Sequence, residues 1–265
     1  MTPPKTHRPG GRPGERSLHV AHDALGAMIV AQDRDTRTLY FGNDVAQTRL
    51  FLNAPDTLAF GYYRAMTAAL AFMDAPRRIL LYGLGGGALA RHLLRLYPQC
   101  TVTAVEYRAA LPEIAHDWFD LPRSSRLTIH IDDAFAHART LESSSYDLIL
   151  VDLFDAQGMS ELDRDDFIAH LAHALSREGM LSANLWRSDW ARFVCAMRAM
   201  EDAFAGCTLY LPVPERGNAV ALASHHPLGG ARLAGARKRA SSIAETGREI
   251  ARLLSEPLLG PRRGG

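Results

Sequence analysis

A glycine-rich turn between a strand pattern and a helix pattern constrains the fold of this chain more than any other feature. The turn, Gly83-Leu84-Gly85-Gly86-Gly87, follows an apolar run over 77–84 and precedes an amphipathic segment that reaches about Tyr97. Glycine lets a backbone turn tightly and approach a ligand without a Cβ atom in the way. The helix start behind the turn offers unpaired N–H groups. Gly83, Gly85 and Gly87 are therefore predicted to lie in a nucleotide- or nucleoside-binding site.

Apolar runs that alternate with helical patterns predict a parallel sheet around this turn. Runs as continuously apolar as LILV are typical of strands buried on both faces. Strands that alternate with helices of 10–15 residues indicate βαβ units. The five predicted strands are 77–84, 100–106, 127–131, 146–152 and 180–185. Helices are expected up to about Tyr97, at 109–118, from Ala134, at 163–176 and at 188–205.

Two further strand patterns close this region in a different way. They cover 207–213 and 218–224 and are separated only by the turn-prone Pro-Glu-Arg-Gly. Two strands this close must be antiparallel, because a parallel crossover needs a dozen or more residues. Five parallel strands followed by an antiparallel hairpin resemble the class I methyltransferase sheet more than a nicotinamide-binding Rossmann domain. The predicted fold class is therefore α/β, with a class I methyltransferase-like Rossmann sheet.

The flanking segments divide the chain into four predicted parts. Residues 1–17, rich in Pro, Gly and Arg, are expected to be a disordered tail, and 18–54 hold strand patterns that predict a small antiparallel β unit. Residues 55–226 are the predicted nucleoside-binding catalytic domain, which begins with a helix from Pro55 to Asp74. Residues 227–265 carry eight basic and three acidic residues, which predicts a loosely docked or solvated basic tail with one short helix. A contact with nucleic acid or an acidic protein is the less favoured interpretation of that tail.

Composition excludes several classes of protein and of chemistry. A hydrophobic fraction of 47% with a net charge of +1 excludes overall disorder, and no apolar run is long enough for a transmembrane helix. The three cysteines are too scattered for a disulfide framework or a zinc cluster. No apolar segment follows the basic N-terminus, so no secretory signal is predicted and a cytoplasmic setting is expected. The only lysines, Lys5 and Lys238, lie outside the predicted domain, which excludes a P-loop and Schiff-base catalysis.

Two acidic residues at strand ends support a nucleoside site. Glu106 closes the second predicted strand, where a carboxylate can accept hydrogen bonds from ribose hydroxyls. Asp133 follows the third strand at the same edge of the sheet and is predicted to accept from an adenine amino group. Its alternative role is to cap the helix that starts at Ala134. These features predict bound adenosine and leave open whether it belongs to NAD or to a sulfonium donor.

A second acidic pair follows the fourth strand, beside the glycine turn. Asp152 and Asp155 are well placed to meet a cationic substrate. A primary amine with a pKa near ~10.4 is protonated at neutral pH and must lose a proton before it can attack a carbon atom. Asp152 is predicted to accept that proton as a general base. Asp155 is predicted to stabilise the remaining charge of a diamine, and its alternative role is to form a turn.

At this point the sequence resembles the spermidine synthase (polyamine aminopropyltransferase) family, from about Arg37 to Ser224. The matching stretches are VAQT with Gln47, Tyr63-Arg64-Ala65-Met66, ILLYGLGGGALAR, VTAVE, IDDAF, YDLILVD with LFD, and GNAVALA. The resemblance implies that Gln47, Glu106 and Asp133 contact the nucleoside. It also implies that Asp152 deprotonates the amine while Asp155 and Tyr63 hold it. The implied co-substrate is decarboxylated S-adenosylmethionine, without a metal, and the implied assembly is a homodimer.

Three departures from the family pattern bear on specificity. The aspartate of the family's glycine loop, which holds the aminopropyl ammonium of the decarboxylated donor, falls on Gly86. That aspartate would also repel the carboxylate of ordinary S-adenosylmethionine, so its absence weakens the preference for the decarboxylated donor. The glutamate of the family's Y-x-E-M run is Ala65, and Ala156-Gln157-Gly158-Met159 replaces the family's Pro-x-Gly-Pro.

The sequence therefore predicts an aminopropyltransferase that acts on a small amine. The alternatives are a methyltransferase that uses ordinary S-adenosylmethionine, a non-catalytic nucleoside-binding scaffold and, least favoured, a dehydrogenase. His170 with His173, and His225 with His226, have no third ligand nearby in the sequence, so no metal site is predicted. Neither membrane nor nucleic-acid binding is expected.

Overall fold

A computed structural model of the chain describes residues 14–155, 158–159, 161–213, 217–243 and 246–255, with the backbone alone at 155, 158 and 159. Its first element is an antiparallel sheet of four strands in chain order. These are β1 (Arg16–Asp23), β2 (Gly26–Gln32), β3 (Thr36–Tyr40) and β4 (Ala46–Phe51). The predicted N-terminal β unit is confirmed. The predicted tail 1–17 is wrong at its end, because Arg16 already belongs to β1, while 1–13 lie outside the described residues.

The segment after β4 is less helical than its periodicity predicts. Only α1 (Gly61–Met66) is α-helical, and a 3-10 helix, Thr67–Phe72, continues it. Two consecutive turns precede α1, in which the N–H of Ala54 donates to Phe51 and that of Thr57 to Ala54. These turns take up the residues with which the predicted helix 55–74 would begin.

The central sheet has seven strands and the predicted methyltransferase-like topology. Its strands are β5 (Arg78–Tyr82), β6 (Thr101–Glu106), β7 (Leu127–Ile131), β8 (Tyr146–Val151), β11 (Leu175–Trp186), β12 (Thr208–Pro212) and β13 (Asn218–Ala223). A separate two-stranded ribbon, β9 (Phe154–Asp155) with β10 (Gly158–Met159), follows β8. In the sheet the order is β12-β13-β11-β8-β5-β6-β7, and β13 alone runs antiparallel to both of its neighbours. The predicted α/β fold class and the antiparallel hairpin are confirmed.

Helices cover both faces of this sheet, as the alternation of buried side chains in β5 shows. Ile79 and Leu81 belong to one core cluster, and Leu80 and Tyr82 belong to another on the opposite face. Helices α2 (Ala88–Leu96), α3 (Leu111–Trp118), α4 (Ala134–Ala138), α5 (Phe167–Ala174) and α6 (Trp190–Ala203) connect the strands. Because α2 packs on the first face and α4, α5 and α6 on the second, the strands are buried on both sides.

The C-terminal segment is docked rather than solvated over its described residues. It forms two helices, α7 (Gly230–Ala240) and α8 (Gly247–Ser255), where the sequence predicted one. Ile250, Leu253 and Leu254 are buried in the same core cluster as α2. The carboxylate of Glu249 also pairs with the Arg64 guanidinium of α1. The apolar face of α8 is therefore buried, and the segment is held more firmly than the predicted loose docking. None of the helices that the structure describes combines the length and apolar composition of a membrane span.

Candidate functional site

The glycine turn lies against the end of β8. Gly83 has a φ of +86°, and a Cβ atom at this position would lie 2.2 Å from the backbone oxygen of Asp152. Its N–H donates to the Val105 carbonyl at 2.9 Å, while the N–H of Asp152 donates to the Tyr82 carbonyl at 2.9 Å. Only glycine fits both the backbone conformation and this close approach. The two loops predicted to form the site are therefore in direct contact.

Glu106 braces the same turn from the end of β6. Its side chain is buried, with 8% exposure of the residue. Its Oε2 accepts from the N–H groups of Leu84 and Gly85 at 3.0 and 3.3 Å, and its Oε1 accepts from the N–H of Arg108 at 2.9 Å. The carboxylate thus orders the turn, and its contact with a ribose stays a prediction.

Asp133 stands at the neighbouring strand end, as the N-cap of α4. Its Oδ1 accepts from the N–H groups of Phe135 and Ala136 at 3.0 and 2.9 Å. The helix-cap alternative considered from the sequence is confirmed. The adenine contact of Asp133 stays a prediction.

Strand β4 joins the N-terminal sheet to the glycine turn. Thr48 accepts a hydrogen bond from the Gly86 N–H at its Oγ1, at 2.9 Å. The preceding residue, Gln47, is half-buried, and its backbone oxygen accepts from the Tyr63 hydroxyl at 3.2 Å. Gln47 therefore lies next to a residue that contacts the turn, and its contact with the nucleoside stays a prediction.

Asp152 follows β8 and is half-buried at the centre of this constellation. The Nδ2 of Asn184 donates to its Oδ1 at 2.9 Å, and the Tyr62 hydroxyl donates to the same carboxylate. Burial raises the pKa of Asp152 to about 6, with a smaller contribution from the charge of Glu106, although both hydrogen bonds act to lower it. An aspartate of this kind is largely ionised at neutral pH and is still basic enough to accept a proton.

Of the two tyrosines on α1, Tyr62 is the one that reaches Asp152. Tyr63, predicted to hold the amine, is 4% exposed, and its hydroxyl donates to the backbone of Gln47. Its role in substrate binding stays a prediction, and so does that of Asp155, whose side chain lies outside the described residues. The ribbon of β9 and β10 pairs the backbone of Asp155 with Gly158.

Gly86 faces side chains of its own protein. A Cβ atom at this position would lie 2.7 Å from Cγ2 of Thr48 and 3.1 Å from Cγ of Phe119. The aspartate that the family resemblance expects here would therefore require Thr48 and Phe119 to move. This crowding is consistent with the departure seen in the sequence.

Sequence reasoning missed Tyr62, Asn184 and Asn218. Asn184 and Asn218 are 1% and 3% exposed, and the Nδ2 of Asn218 donates to Oδ1 of Asn184 at 2.7 Å. A signal was present for both asparagines, because Asn184 interrupts the apolar strand pattern SANL and Asn218 begins the otherwise apolar NAVALA. A buried amide in such a strand needs a polar partner. The partner comes from another strand, so the sequence alone did not identify it.

Comparison with known proteins places the chain in a family. The sequence model of the spermine/spermidine synthase domain matches residues 60–191. A polyamine aminopropyltransferase of Chromobacterium violaceum is 28% identical over 87% of this chain and 88% of its own length. The corresponding protein of Neisseria meningitidis serogroup A is 30% identical over 78% of this chain and 80% of its own length. The chain belongs to the spermidine synthase family.

Solved structures show the same fold. A spermidine synthase in complex with the transition-state analogue AdoDATO has a TM-score of 0.73 at 16% identity, over 91% of this chain and 86% of its own. Human methyltransferase-like protein 13 in complex with SAH has a TM-score of 0.60 at 25% identity, over 75% of this chain and 94% of its own. The two structures confirm the class I methyltransferase-like fold. The members of the family are transferases.

Proposed function

We propose that this spermidine synthase family member transfers an aminopropyl group from decarboxylated S-adenosylmethionine to a polyamine acceptor. The observation that carries the proposal is the position of Asp152. Its carboxylate lies beside the glycine turn and is held between the hydroxyl of Tyr62 and the amide of Asn184. The names of the bacterial relatives support the same activity.

The nucleoside of the donor would lie along the strand ends that carry the glycine turn. Gly83 keeps the backbone free of a Cβ atom there, and Glu106 fixes the turn through two of its N–H groups. Gln47, Glu106 and Asp133 are the residues that we expect to contact the nucleoside. Positioning of the donor in this way contributes to catalysis by turning a bimolecular encounter into a reaction between held groups.

Asp152 would prepare the acceptor for attack. The acceptor ammonium gives a proton to the carboxylate, and the neutral nitrogen attacks the carbon atom beside the sulfonium. A C–N bond forms as the C–S bond breaks, and the sulfur atom keeps the electron pair and becomes a neutral thioether. A pKa of about 6 leaves Asp152 mostly ionised above pH 7, so the rate is expected to fall below about pH 6.

The test is a turnover assay on the full chain with decarboxylated S-adenosylmethionine and a panel of diamines. Release of the thioether nucleoside and formation of the extended amine are measured together. Asp152→Asn is expected to lower kcat by roughly 10²–10⁴. Asp117→Asn, which changes an exposed carboxylate on α3, is the matched control. Undiminished turnover by Asp152→Asn would refute the assignment of the general base.

A methyltransferase that uses ordinary S-adenosylmethionine is the second candidate, and Gly86 favours it. No carboxylate can project from residue 86 to repel the carboxylate of that donor, and Thr48 and Phe119 crowd the position. The structural likeness to methyltransferase-like protein 13 agrees with this reading. Titration calorimetry with each donor decides between the candidates. Tighter binding of the carboxylated donor, with a methylated product, would replace aminopropyl transfer.

The acceptor is proposed only as a class, a small polyamine. The cytoplasmic setting expected from the sequence and the homodimer implied by the family resemblance stay predictions. Gel filtration of the full chain with light scattering tests the homodimer, since a monomer mass would contradict it.

A further inference from the structure

Two buried asparagines lie behind Asp152 in the central sheet. Asn184 belongs to β11 and Asn218 to β13, and both are almost inaccessible to solvent. The other residues of β13 are alanine, valine and leucine. A buried amide destabilises a fold unless its polar atoms find partners. The pair is therefore not explained by packing alone.

The register of the two strands brings the amides together. Asn184 is paired with Val220, and Asn218 with Trp186, so the two asparagines are diagonal neighbours in adjacent antiparallel strands. The Nδ2 of Asn218 donates to the Oδ1 of Asn184 at 2.7 Å. The Nδ2 of Asn184 donates in turn to the Oδ1 of Asp152 at 2.9 Å. The three side chains form a chain of hydrogen bonds in which Asn218 donates to Asn184 and Asn184 donates to Asp152.

The direction of these hydrogen bonds has a consequence for Asp152. An asparagine amide has a donor side and an acceptor side, and the side that faces a carboxylate must be the donor. Because Asn218 offers its donor to Asn184, the oxygen of Asn184 is engaged and its NH2 group is turned towards Asp152. A reversed Asn184 would place two donors together and two oxygens together.

We propose that Asn218 and Asn184 are positioning residues that hold the Asp152 carboxylate in the orientation needed to receive the proton of the attacking amine. The inference rests on the proposed role of Asp152 as general base. Asn184 acts directly on the carboxylate, and Asn218 acts through Asn184. On the other side, Tyr62 of α1 holds the same carboxylate. The charged group at the end of β6 that acts on Asp152 is Glu106.

Asn184→Leu and Asn218→Leu test the proposal, since leucine is close to asparagine in shape and makes no hydrogen bond. Each change removes a donor that stabilises ionised Asp152, directly or through Asn184. Asn218→Leu, which removes a hydrogen bond to a neutral amide, should move the acid limb of the pH profile of kcat/KM up by less than Asn184→Leu does. For Asn184→Leu the expected move is about one pH unit, because a hydrogen bond to a charged group is worth about that much. Below the acid limb this corresponds to about a tenfold loss of rate, and the loss shrinks as the pH rises.

Ser182→Ala is the matched control. Ser182 is buried on β11, two residues before Asn184 and on the same face, and its hydroxyl makes no hydrogen bond within the described part of the chain. This variant should leave the acid limb where it is in the wild type. Circular dichroism shows whether each variant is folded. Asn218→Ser keeps a donor, so its acid limb should lie closer to that of the wild type than the acid limb of Asn218→Leu does.

A carboxyl ¹³C NMR titration of Asp152 separates this inference from the proposed function. It follows the protonation of the side chain without substrate, so it can be read even if the wild type transfers no aminopropyl group. An upward shift of the titration midpoint in both leucine variants, together with the moved acid limb, supports the proposal. An unmoved midpoint in Asn218→Leu overturns the role of Asn218. A moved midpoint with an unchanged rate profile overturns the claim that positioning serves the reaction.

Discussion

Replacement of Asp152 by asparagine is expected to stabilise the folded protein at neutral pH while it lowers turnover. In the native protein the pKa of Asp152 is raised to about 6 from an ordinary value of 3.8, chiefly by burial. Between these two values the folded state binds more protons than the unfolded state, so the free energy of unfolding decreases as the pH rises. Asparagine cannot ionise, and its oxygen can still accept from Asn184.

The magnitude follows from the difference between the two pKa values. At 1.36 kcal/mol for each pKa unit, ionised Asp152 lowers the free energy of unfolding by about 3 kcal/mol above pH 7. Near pH 4 most of this destabilisation is absent. The stability difference between Asp152→Asn and wild type should therefore grow by about 2 kcal/mol from pH 4 to pH 7.5.

Urea unfolding followed by circular dichroism at intervals of half a pH unit measures this difference. The change with pH is the decisive quantity, because the substitution also alters local hydrogen bonds by a constant amount. A difference that stays flat from pH 4 to pH 7.5 would refute the reasoning. It would mean that the carboxylate is solvated well enough to ionise without cost to the fold.

Three further predictions test other parts of the structure. Asp147→Asn should show the opposite pH dependence: burial acts to raise the pKa of Asp147, but hydrogen bonds from Arg78 and Arg77 lower it overall, so the variant should be less stable than wild type by an amount that shrinks as the pH falls below 4. Gly83→Ala should lower turnover, and it should lower the free energy of unfolding by more than the ~1–3 kcal/mol of backbone strain, because its Cβ meets the Asp152 carbonyl. Gly206→Ala, with a φ of +76° and open space around it, should show the loss from backbone strain alone in the same urea titration. Leu253→Ala should lower the free energy of unfolding by about 2–5 kcal/mol if α8 is part of the core, and a loss below about 1 kcal/mol would contradict the docking of that helix.

The sheet was predictable from the sequence because its signals are local. The continuous apolar run of β8 and the glycine turn after β5 each identify a buried strand within a few residues. Glu106 and Asp152 were proposed as site residues for the same reason, since each closes such a run and the carboxyl ends of parallel strands meet at one edge.

The parts that were missed depend on contacts between distant segments. Asn184 contacts Asp152 across 32 positions of sequence, and Tyr62 contacts it from a helix before the sheet. Apolar positions of the C-terminal segment such as Leu254 predicted a short amphipathic helix, but they did not show which surface it would contact, and α8 packs in the core cluster that includes α2. Local patterns show which side chain is polar and do not show which partner it meets.

The ion pair between Arg64 and Glu249 joins residues that are 185 positions apart. Since Arg64 shares α1 with Tyr62, the helix that supports one side of the Asp152 carboxylate reaches its final packing only after α8 has been synthesised. At translation rates of roughly 5–20 residues per second, α1 waits about ten to forty seconds for that partner. A nascent chain would therefore complete the support of the Asp152 carboxylate after β13, the last strand of the central sheet, and only once α8 has emerged.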